Sequence, residues 1–301
     1  MTVLGANNMN MNMNMNMNMG AAGIALPSVA PSQIRFNTAD YRKLVKNPPQ
    51  WPLAVQPFAQ LPTFVRDWDP DLRAYIYLND FVFDNSPGTN PPGWVTALAA
   101  AANGVGLPNA NAAILEAQLA AVLDEAPDRE DRFAEIIHQH DAEGAISYFL
   151  GMLMIDPARH PQTYLLIRVA RRIGELVTMV LKGRFMVQRP SQLCAAIVPM
   201  IDPPVTPSFP AGHALEAWLI ANCLIDAWGQ DPPNPPRQSR IDLLQYLAGR
   251  IGWNRVIAGV HYPLDIDAGR VVANACYPLM KISAGSAFNA LVGAARAESK
   301  Q

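Results

Sequence analysis

Two histidines in the C-terminal half of the chain each stand beside residues that suit the start of a helix. The first is His213. Pro210 fits the first turn of a helix, and Gly212 lets a ligand approach the backbone closely. Because the amides at a helix N-terminus can bind an anion, we expect His213 to stand beside one. A histidine that only packs in the core after a proline-rich turn is the alternative.

The second histidine, His261, comes just before a helix that Pro263 is predicted to open. Asp265 falls in the first turn of that helix, so its carboxylate can reach one ring nitrogen of His261. This contact would fix the tautomer and make the other nitrogen a better nucleophile or metal ligand. Arg255 can donate two parallel hydrogen bonds to an oxyanion. A histidine–aspartate helix cap with a surface arginine is the alternative.

A lysine and an arginine precede both histidines. Lys182 is followed seven residues later by Arg189, which stands before Pro190. Together with the later residues, these side chains could bind a tetrahedral oxyanion and carry out acid–base or nucleophilic chemistry on it. Taken alone, this segment also suits a solvent-exposed helix face, because Lys182 continues a polar stripe that comprises Arg171, Glu175 and Thr178.

Three motifs in order, Lys-x6-Arg-Pro, Pro-x-Gly-His and Arg-x5-His-x3-Asp, resemble the signature of the type 2 phosphatidic acid phosphatase / vanadium haloperoxidase superfamily. The resemblance covers roughly residues 162–279. It implies an α-helical bundle whose pocket binds phosphate or vanadate. It also implies that the anion is clamped by the side chains of Lys182, Arg189 and Arg255 together with the Gly212 amide.

The same resemblance assigns the catalytic roles. It implies that His261 is the phosphorylated nucleophile, that Asp265 orients it, and that His213 is the general acid. The chain departs from the family pattern at two positions. Ala211 replaces the usual serine before Gly-His, which removes a hydroxyl worth about 1.5–3 kcal/mol to a charged ligand. Asn254 replaces the serine before the last arginine and can still form hydrogen bonds.

The resemblance leaves two enzyme classes and a non-enzymatic alternative. A phosphatase acting on a phosphate monoester or lipid-like phosphate needs no cofactor and no metal. In a vanadium-dependent haloperoxidase, His261 would ligate vanadate while Lys182 and His213 activate peroxide. The haloperoxidases that the chain resembles commonly carry aromatic or histidine side chains where this chain has Met179 and Thr206, which favours the phosphatase. An inactive helical scaffold is disfavoured, because every charged and imidazole position of the motifs is kept.

Composition and charge limit the partners and the location that we expect for the protein. Half of the 301 residues are apolar and the formal net charge is −2, which argues against nucleic-acid binding. No run of about 20 uninterrupted apolar residues is present, so we predict a soluble protein without a transmembrane span. The three cysteines are far apart, which is typical of buried thiols in a reducing compartment. The N-terminus lacks a basic region before its apolar residues, and we therefore expect a cytoplasmic protein. The oligomeric state is left open.

Local patterns predict an all-α helical bundle in three parts. Residues 1–32, which include six consecutive Asn-Met dipeptides, form a predicted disordered tail. Copper(I) binding by its methionines is an alternative that we disfavour. Residues 33–150 hold an extended segment and N-terminal helices that pack on the core, and residues 151–296 form the catalytic bundle. The predicted helices are 91–102, 111–125 with Asn111 as N-cap, 128–140, a long helix from Pro161, 211–228, 237–257 and 263–291.

One further cluster resembles a metal site. His138 and His140 flank Gln139 and are followed by Asp141. Since positions two apart on a helix point to different faces, we do not predict a metal there.

Overall fold

The computed structural model describes residues 68–84, 92–108, 110–229, 237–281 and 287–300. Residues 70–301 form one compact unit, whose described part contains helices and no β-strand. The fold class is therefore the all-α helical bundle that the sequence predicts. The Asn-Met repeat and the extended segment 33–62 lie outside the described residues. The predicted divisions after residues 32 and 150 stay predictions.

The helices of the described part are numbered here in chain order. They are α1 Pro70–Asp84, α2 Gly93–Asn103, α3 Ala112–Asp124, α4 Arg129–His138, α5 Ala142–Leu153, α6 Pro161–Phe185, α7 Pro190–Leu193, α8 Gly212–Trp228, α9 Arg237–Ile257, α10 Pro263–Met280 and α11 Ala287–Glu298. A single 3₁₀ turn, Ala126–Asp128, precedes α4 in this part of the chain.

Helix α8 is the centre of the bundle. It packs against α6, α9, α10 and α11, and most of its side chains are buried. Helix α1 covers α6, α2 covers α10, and α4 and α5 lie against α9. A helix that is apolar on nearly all sides must be surrounded by other helices. The start of α8, which carries Gly212 and His213, is thereby fixed against its neighbours.

Two glycines allow the neighbouring helices to approach α8 closely. A Cβ at Gly269 of α10 would lie 2.8 Å from Ala214 Cβ and 2.9 Å from the Ala211 carbonyl oxygen. A Cβ at Gly174 of α6 would lie 3.0 Å from Glu216 Cγ. At Gly269 the backbones are closer than a larger residue permits, and at Gly174 a larger residue would press on Glu216. The first two turns of α8 are therefore held between α6 and α10.

The predicted helix starts agree with the structure within about two residues. Pro161, Pro190 and Pro263 stand in the first turns of α6, α7 and α10, where the missing N–H costs nothing. The side chain of Asn111 accepts a hydrogen bond from the Ile114 amide at 3.0 Å and caps α3 as predicted.

The prediction of one helix over 263–291 is wrong. Helix α10 ends at Met280 and a separate helix, α11, begins at Ala287. Pro278 in the last turn of α10 has no N–H to continue the hydrogen-bond ladder, which weakens the helix at that point. Helix α5 has no counterpart in the sequence-based prediction. Its N-cap, Asp141, accepts a hydrogen bond from the Gly144 amide at 2.6 Å.

The C-terminal helix closes the N-terminus of α6. The buried Glu298 carboxylate accepts hydrogen bonds from the amides of Gln162 and Thr163 and from the Thr163 hydroxyl, each at 2.8 Å. The Thr163 hydroxyl accepts in turn from the Trp228 indole N–H at 3.0 Å. Residues from α6, α8 and α11 are thus joined in one buried network, at the opposite end of α6 from Lys182.

Candidate active site

The predicted site residues come from the ends of four helices and from a loop. Lys182 lies in the last turn of α6, Arg189 directly precedes α7, and Arg255 lies in the last turn of α9. His213 lies in the first turn of α8, and His261 precedes α10 by two residues. All except His213 are buried, and Lys182 is only 3 % exposed. A solvent-exposed face is therefore the wrong interpretation for Lys182.

One ring nitrogen of His261 is bound by Asp265. The distance from His261 Nδ1 to Asp265 Oδ2 is 2.8 Å. The same carboxylate oxygen accepts a hydrogen bond from the Tyr262 amide at 3.0 Å and another from the Ser208 hydroxyl. Ser208 Oγ also lies 3.3 Å from His261 Nδ1. An ionised carboxylate accepts hydrogen bonds and cannot donate them, so this arrangement favours the tautomer with the proton on Nδ1.

The other ring nitrogen of His261 faces an arginine. Arg189 Nη1 lies 3.3 Å from His261 Nε2 and donates to the Val260 carbonyl at 2.7 Å. Arg189 Nε donates to the Thr206 carbonyl at 2.9 Å. Because a guanidinium can only donate, His261 Nε2 presents its lone pair toward positive charge.

Lys182 is held by the loop before α8. Its ammonium group donates to the Ser208 carbonyl at 2.9 Å and to the Pro207 carbonyl. Arg189 contacts the same loop at Thr206, so two cations and the loop that carries Ser208 form one hydrogen-bonded unit. This unit places both cations beside His261.

Arg255 has unused donors. It is 1 % exposed, and its Nη2 donates to the Ile136 carbonyl at 3.1 Å. Its Nε and Nη1 are buried and have no hydrogen-bond partner in the described part of the chain. Buried donors without partners are costly, and an anion would satisfy them.

His213 is oriented by a backbone carbonyl from another helix end. Its Nε2 lies 3.0 Å from the carbonyl oxygen of Gln139, the residue that follows α4. The Gln139 side chain accepts from Asn254 Nδ2 at 2.8 Å. Since a carbonyl only accepts, the His213 proton is on Nε2 and Nδ1 is left as an acceptor.

The amides at the start of α8 are available to a ligand. The helix begins at Gly212, and the preceding residue, Ala211, offers no side-chain cap. A Cβ at Gly212 would lie 3.2 Å from Thr178 Cγ2, so the glycine keeps α6 close to this helix start. Free first-turn amides and the helix dipole favour a negative charge here.

The cations and the burial keep both histidines neutral. Burial, together with the neighbouring Arg255 and His261, lowers the pKa of His213 to about 3. Burial lowers the pKa of His261 well below its ordinary value, with added effects of Lys182, Arg189 and Arg255. Burial and the charge of Arg189 also lower the pKa of Lys182. The His261–Asp265 contact is therefore a hydrogen bond from a neutral ring. The site carries excess positive charge, which an anion would offset.

Three residues near the site escape sequence reasoning. Ser208 stands two residues before the Pro-x-Gly-His motif and has the appearance of an ordinary turn residue. Ile136 and Gln139 act through their backbone carbonyls, which carry no sequence signature. His138, which flanks Gln139, has its ring centroid 5.4 Å from that of Tyr148. Among the described residues, no group of three or more His, Cys, Asp or Glu side chains is placed to hold a metal ion.

Comparisons with known proteins give matches for the part of the chain that carries the predicted site residues. The model of the PAP2 superfamily matches residues 163–284. This segment is similar to the PAP2 superfamily. It begins in the first turn of α6, extends past the end of α10, and contains every site residue that the sequence predicts. The resemblance found in the motifs is confirmed.

One solved structure similar to this chain is a transmembrane PAP2-type phosphatidylglycerolphosphate phosphatase from Bacillus subtilis. It is 18 % identical, with a TM-score of 0.44 over 70 % of this chain and 94 % of that chain. A search of curated proteins found no match. Within the described ranges, no helix is both long enough and apolar enough to cross a membrane. The carbonyls of Ile136 and Gln139, which bind Arg255 and His213, lie outside the PAP2 segment.

Proposed function

We propose that the protein is a phosphatase that hydrolyses a phosphate monoester or a lipid-like phosphate through a phosphohistidine. The setting of His261 carries this proposal. Its Nδ1 lies 2.8 Å from Asp265 Oδ2, and its Nε2 lies 3.3 Å from Arg189 Nη1. A neutral imidazole held in this way presents a nucleophilic lone pair beside a group that can bind a phosphoryl oxygen.

The phosphoryl group would be held by cations and amides from three motifs. Arg255 offers two N–H groups that have no partner in the described part of the chain. Lys182 and Arg189 already lie beside His261, and the Gly212 amide would donate to a further oxygen. Donors fixed before the substrate arrives stabilise the developing charge without reorganisation. Ala211 supplies no hydroxyl here, which reduces the number of side-chain donors.

In the first half-reaction, His261 Nε2 attacks phosphorus while the bond from phosphorus to the leaving oxygen breaks. His213 donates a proton to that oxygen, so an alcohol leaves and a phosphohistidine remains. His213 is neutral near pH 7, because burial and the neighbouring Arg255 and His261 lower its pKa to about 3. The negative charge of a bound phosphate raises that pKa and favours the protonated acid.

In the second half-reaction, His213 takes a proton from water as the water oxygen attacks phosphorus. The bond from phosphorus to His261 Nε2 breaks, inorganic phosphate is released, and the Nε2 lone pair is restored. Asp265 keeps the ring in position through both steps. Atoms and charges balance over the two half-reactions without a metal or redox cofactor. Inorganic phosphate is the diagnostic product.

The test is a parallel assay of the full-length protein. Phosphate release from a panel of monoesters and lipid phosphates is measured beside bromination of an indicator with vanadate, bromide and peroxide. We expect phosphate release that orthovanadate inhibits, because vanadate mimics the five-coordinate transition state. Halogenation that requires vanadate, without phosphate release, would replace the phosphatase with a haloperoxidase. If neither activity is detected, a catalytically inactive scaffold would be favoured.

Two variants make the assay specific to the site. His261→Ala should lose phosphate release. His160→Gln should retain it, because His160 precedes α6 at the end opposite Lys182, about 33 Å away for a straight helix. Activity that survives in the His261→Ala variant would come from a contaminant or from another site.

A further inference from the structure

Thr178 carries a buried hydroxyl that nothing in the proposed mechanism uses. The residue is 4 % exposed, and its Oγ1 has no hydrogen-bond partner in the described part of the chain. Threonine inside a helix commonly donates to the carbonyl three or four residues earlier. Thr178 does not, although a buried hydroxyl without a partner costs stability. Such a hydroxyl is available to form a hydrogen bond with a ligand.

The position of Thr178 relates this hydroxyl to the start of α8. Thr178 precedes Lys182 by four residues on α6, so both side chains lie on one helix face. Thr178 Oγ1 lies 3.8 Å from the position that a Cβ would take on Gly212. The hydroxyl is therefore near both a site cation and the first free amide of α8.

We infer that Thr178 is a further anion-binding residue, whose hydroxyl donates a hydrogen bond to an oxygen of the bound phosphoryl group. The inference rests on the proposed function, since it adds a donor to the same site. It also accounts for Ala211, which provides no hydroxyl at the adjacent position of the α8 N-terminus. Thr178 supplies from α6 a donor that a serine at position 211 would supply from α8.

The neighbouring Glu216 is compatible with this role. Its Oε1 also lies 3.8 Å from the Cβ position of Gly212, and its Oε2 lies 4.0 Å from Arg171 Nε. Burial raises the pKa of Glu216 to about 7. A protonated carboxyl does not repel an anion, so Glu216 leaves room for a phosphate at pH values below that pKa.

The test measures the dissociation constant of inorganic phosphate by isothermal titration calorimetry of the full-length protein. Thr178→Val keeps the shape and removes the hydroxyl. We expect it to weaken phosphate binding on the order of 10- to 100-fold, as for loss of a hydrogen bond to a charged group. Thr178→Ser keeps the hydroxyl and should bind within about threefold of the unaltered protein.

A second substitution tests the exchange between the two positions. Ala211→Ser should restore most of the affinity that Thr178→Val loses, yet add little to the unaltered protein. Thr163→Val is the matched control on the same helix, because the Thr163 hydroxyl is buried and bound by Glu298 and Trp228. It should lower the melting temperature and leave phosphate affinity unchanged. If Thr178→Val does not fold, Thr178→Ala takes its place.

The outcomes separate this inference from the proposed function. Unchanged phosphate affinity in folded Thr178→Val, with binding lost in Arg189→Ala, would overturn the role of Thr178 and keep the phosphate site. No binding of phosphate or orthovanadate by the unaltered protein would overturn both. Equal weakening by Thr178→Val and Thr163→Val would indicate a structural effect of either hydroxyl and would also overturn the inference.

Discussion

Each site histidine is held through one ring nitrogen. Asp265 binds Nδ1 of His261, and the Gln139 carbonyl binds Nε2 of His213. The two rings therefore leave opposite nitrogens for chemistry, Nε2 in His261, which Arg189 Nη1 faces at 3.3 Å, and Nδ1 in His213. Different restraints suit different proposed roles, since a nucleophile needs a fixed lone pair and a general acid must exchange its proton.

Substituting the histidines should separate nucleophile from acid. His261→Ala should abolish turnover and any trapped phosphoenzyme. His213→Ala should slow turnover by about 10²–10⁴-fold on alkyl phosphates, whose leaving oxygen needs a proton. It should retain slow phosphoenzyme formation with 4-nitrophenyl phosphate, whose leaving group is stable as an anion. Rapid-quench trapping of labelled phosphate on each variant measures both effects.

Asp265→Asn provides the intermediate case, because it leaves the nucleophile in place and weakens its orientation. We expect a loss between those of the two histidine variants. Labelled phosphate found on His213 instead of His261 would reverse the two roles. Equally small losses for all three variants on every substrate would mean that the residues are structural.

The spacing of chemical side chains was sufficient to predict the cluster around His261 but not the groups that orient His213. Lysine, arginine, histidine and aspartate are recognisable by type, and helix starts at prolines fix where they stand. The Gln139 carbonyl is a backbone group, and any residue type could supply it. Ser208 could have been found only from its contact with Asp265, which depends on the path of the loop.

At the scale of elements, the junction between α4 and α5 contacts the site from outside the segment that matches the PAP2 model. The carbonyls of Ile136 and Gln139 at the end of α4 bind Arg255 and His213. Unsatisfied carbonyls at a helix C-terminus carry partial negative charge, which suits an arginine and a histidine N–H. Displacing this junction should therefore change the site without altering any of its side chains.

Gly144→Ala tests this coupling. A Cβ at Gly144 would lie 1.6 Å from the His138 carbonyl oxygen, so the end of α4 would have to move. We expect phosphatase activity to fall at least about tenfold, as for a misplacement of order 1 Å at a catalytic group. Gly151→Ala in the same helix is the control, because nothing lies within 4 Å of its Cβ position.

The measurement is kcat on an alkyl phosphate together with the melting temperature of each variant. Gly151→Ala should keep full activity and gain slight stability from the better helix propensity of alanine. If Gly144→Ala were as active as Gly151→Ala, the α4–α5 junction would have no influence on His213.

Element boundaries show the same division between what sequence can and cannot predict. Starts at Pro161, Pro263 and Asn111 follow from local chemistry at single residues. The end of α10 at Met280 depends on Pro278 and on packing, and an apolar pattern that continues past it predicts too long a helix. The sequence analysis predicts no helix over the residues of α5, although the N-cap of this helix, Asp141, is visible in the sequence.

At the scale of the whole molecule, Glu298 joins distant parts of the chain. Glu298→Ala would leave the Thr163 hydroxyl and two α6 amides without their acceptor. We expect the free energy of unfolding to fall by about 3 kcal/mol, as for loss of a buried charged hydrogen-bond partner. Urea denaturation measures it. Glu116→Gln, at an exposed position of α3, should change stability by less than about 0.5 kcal/mol.

The Glu298→Ala variant should also keep its phosphate affinity when it is folded, because the network lies at the other end of α6 from Lys182. A fall in affinity at temperatures well below the melting point would mean that the two ends of α6 are coupled. An unchanged urea midpoint would mean that water replaces the carboxylate at no net cost.

The same cap sets an order of events during synthesis. The amides at the start of α6 meet their acceptor only when residue 298 has left the ribosome, 135 residues after Thr163. At about 5–20 residues per second, the longest helix of the described bundle waits roughly 7 to 27 seconds for its partner. Until then the apolar face of this helix lacks the cover that α11 provides, and chaperones that bind apolar segments have that interval in which to act.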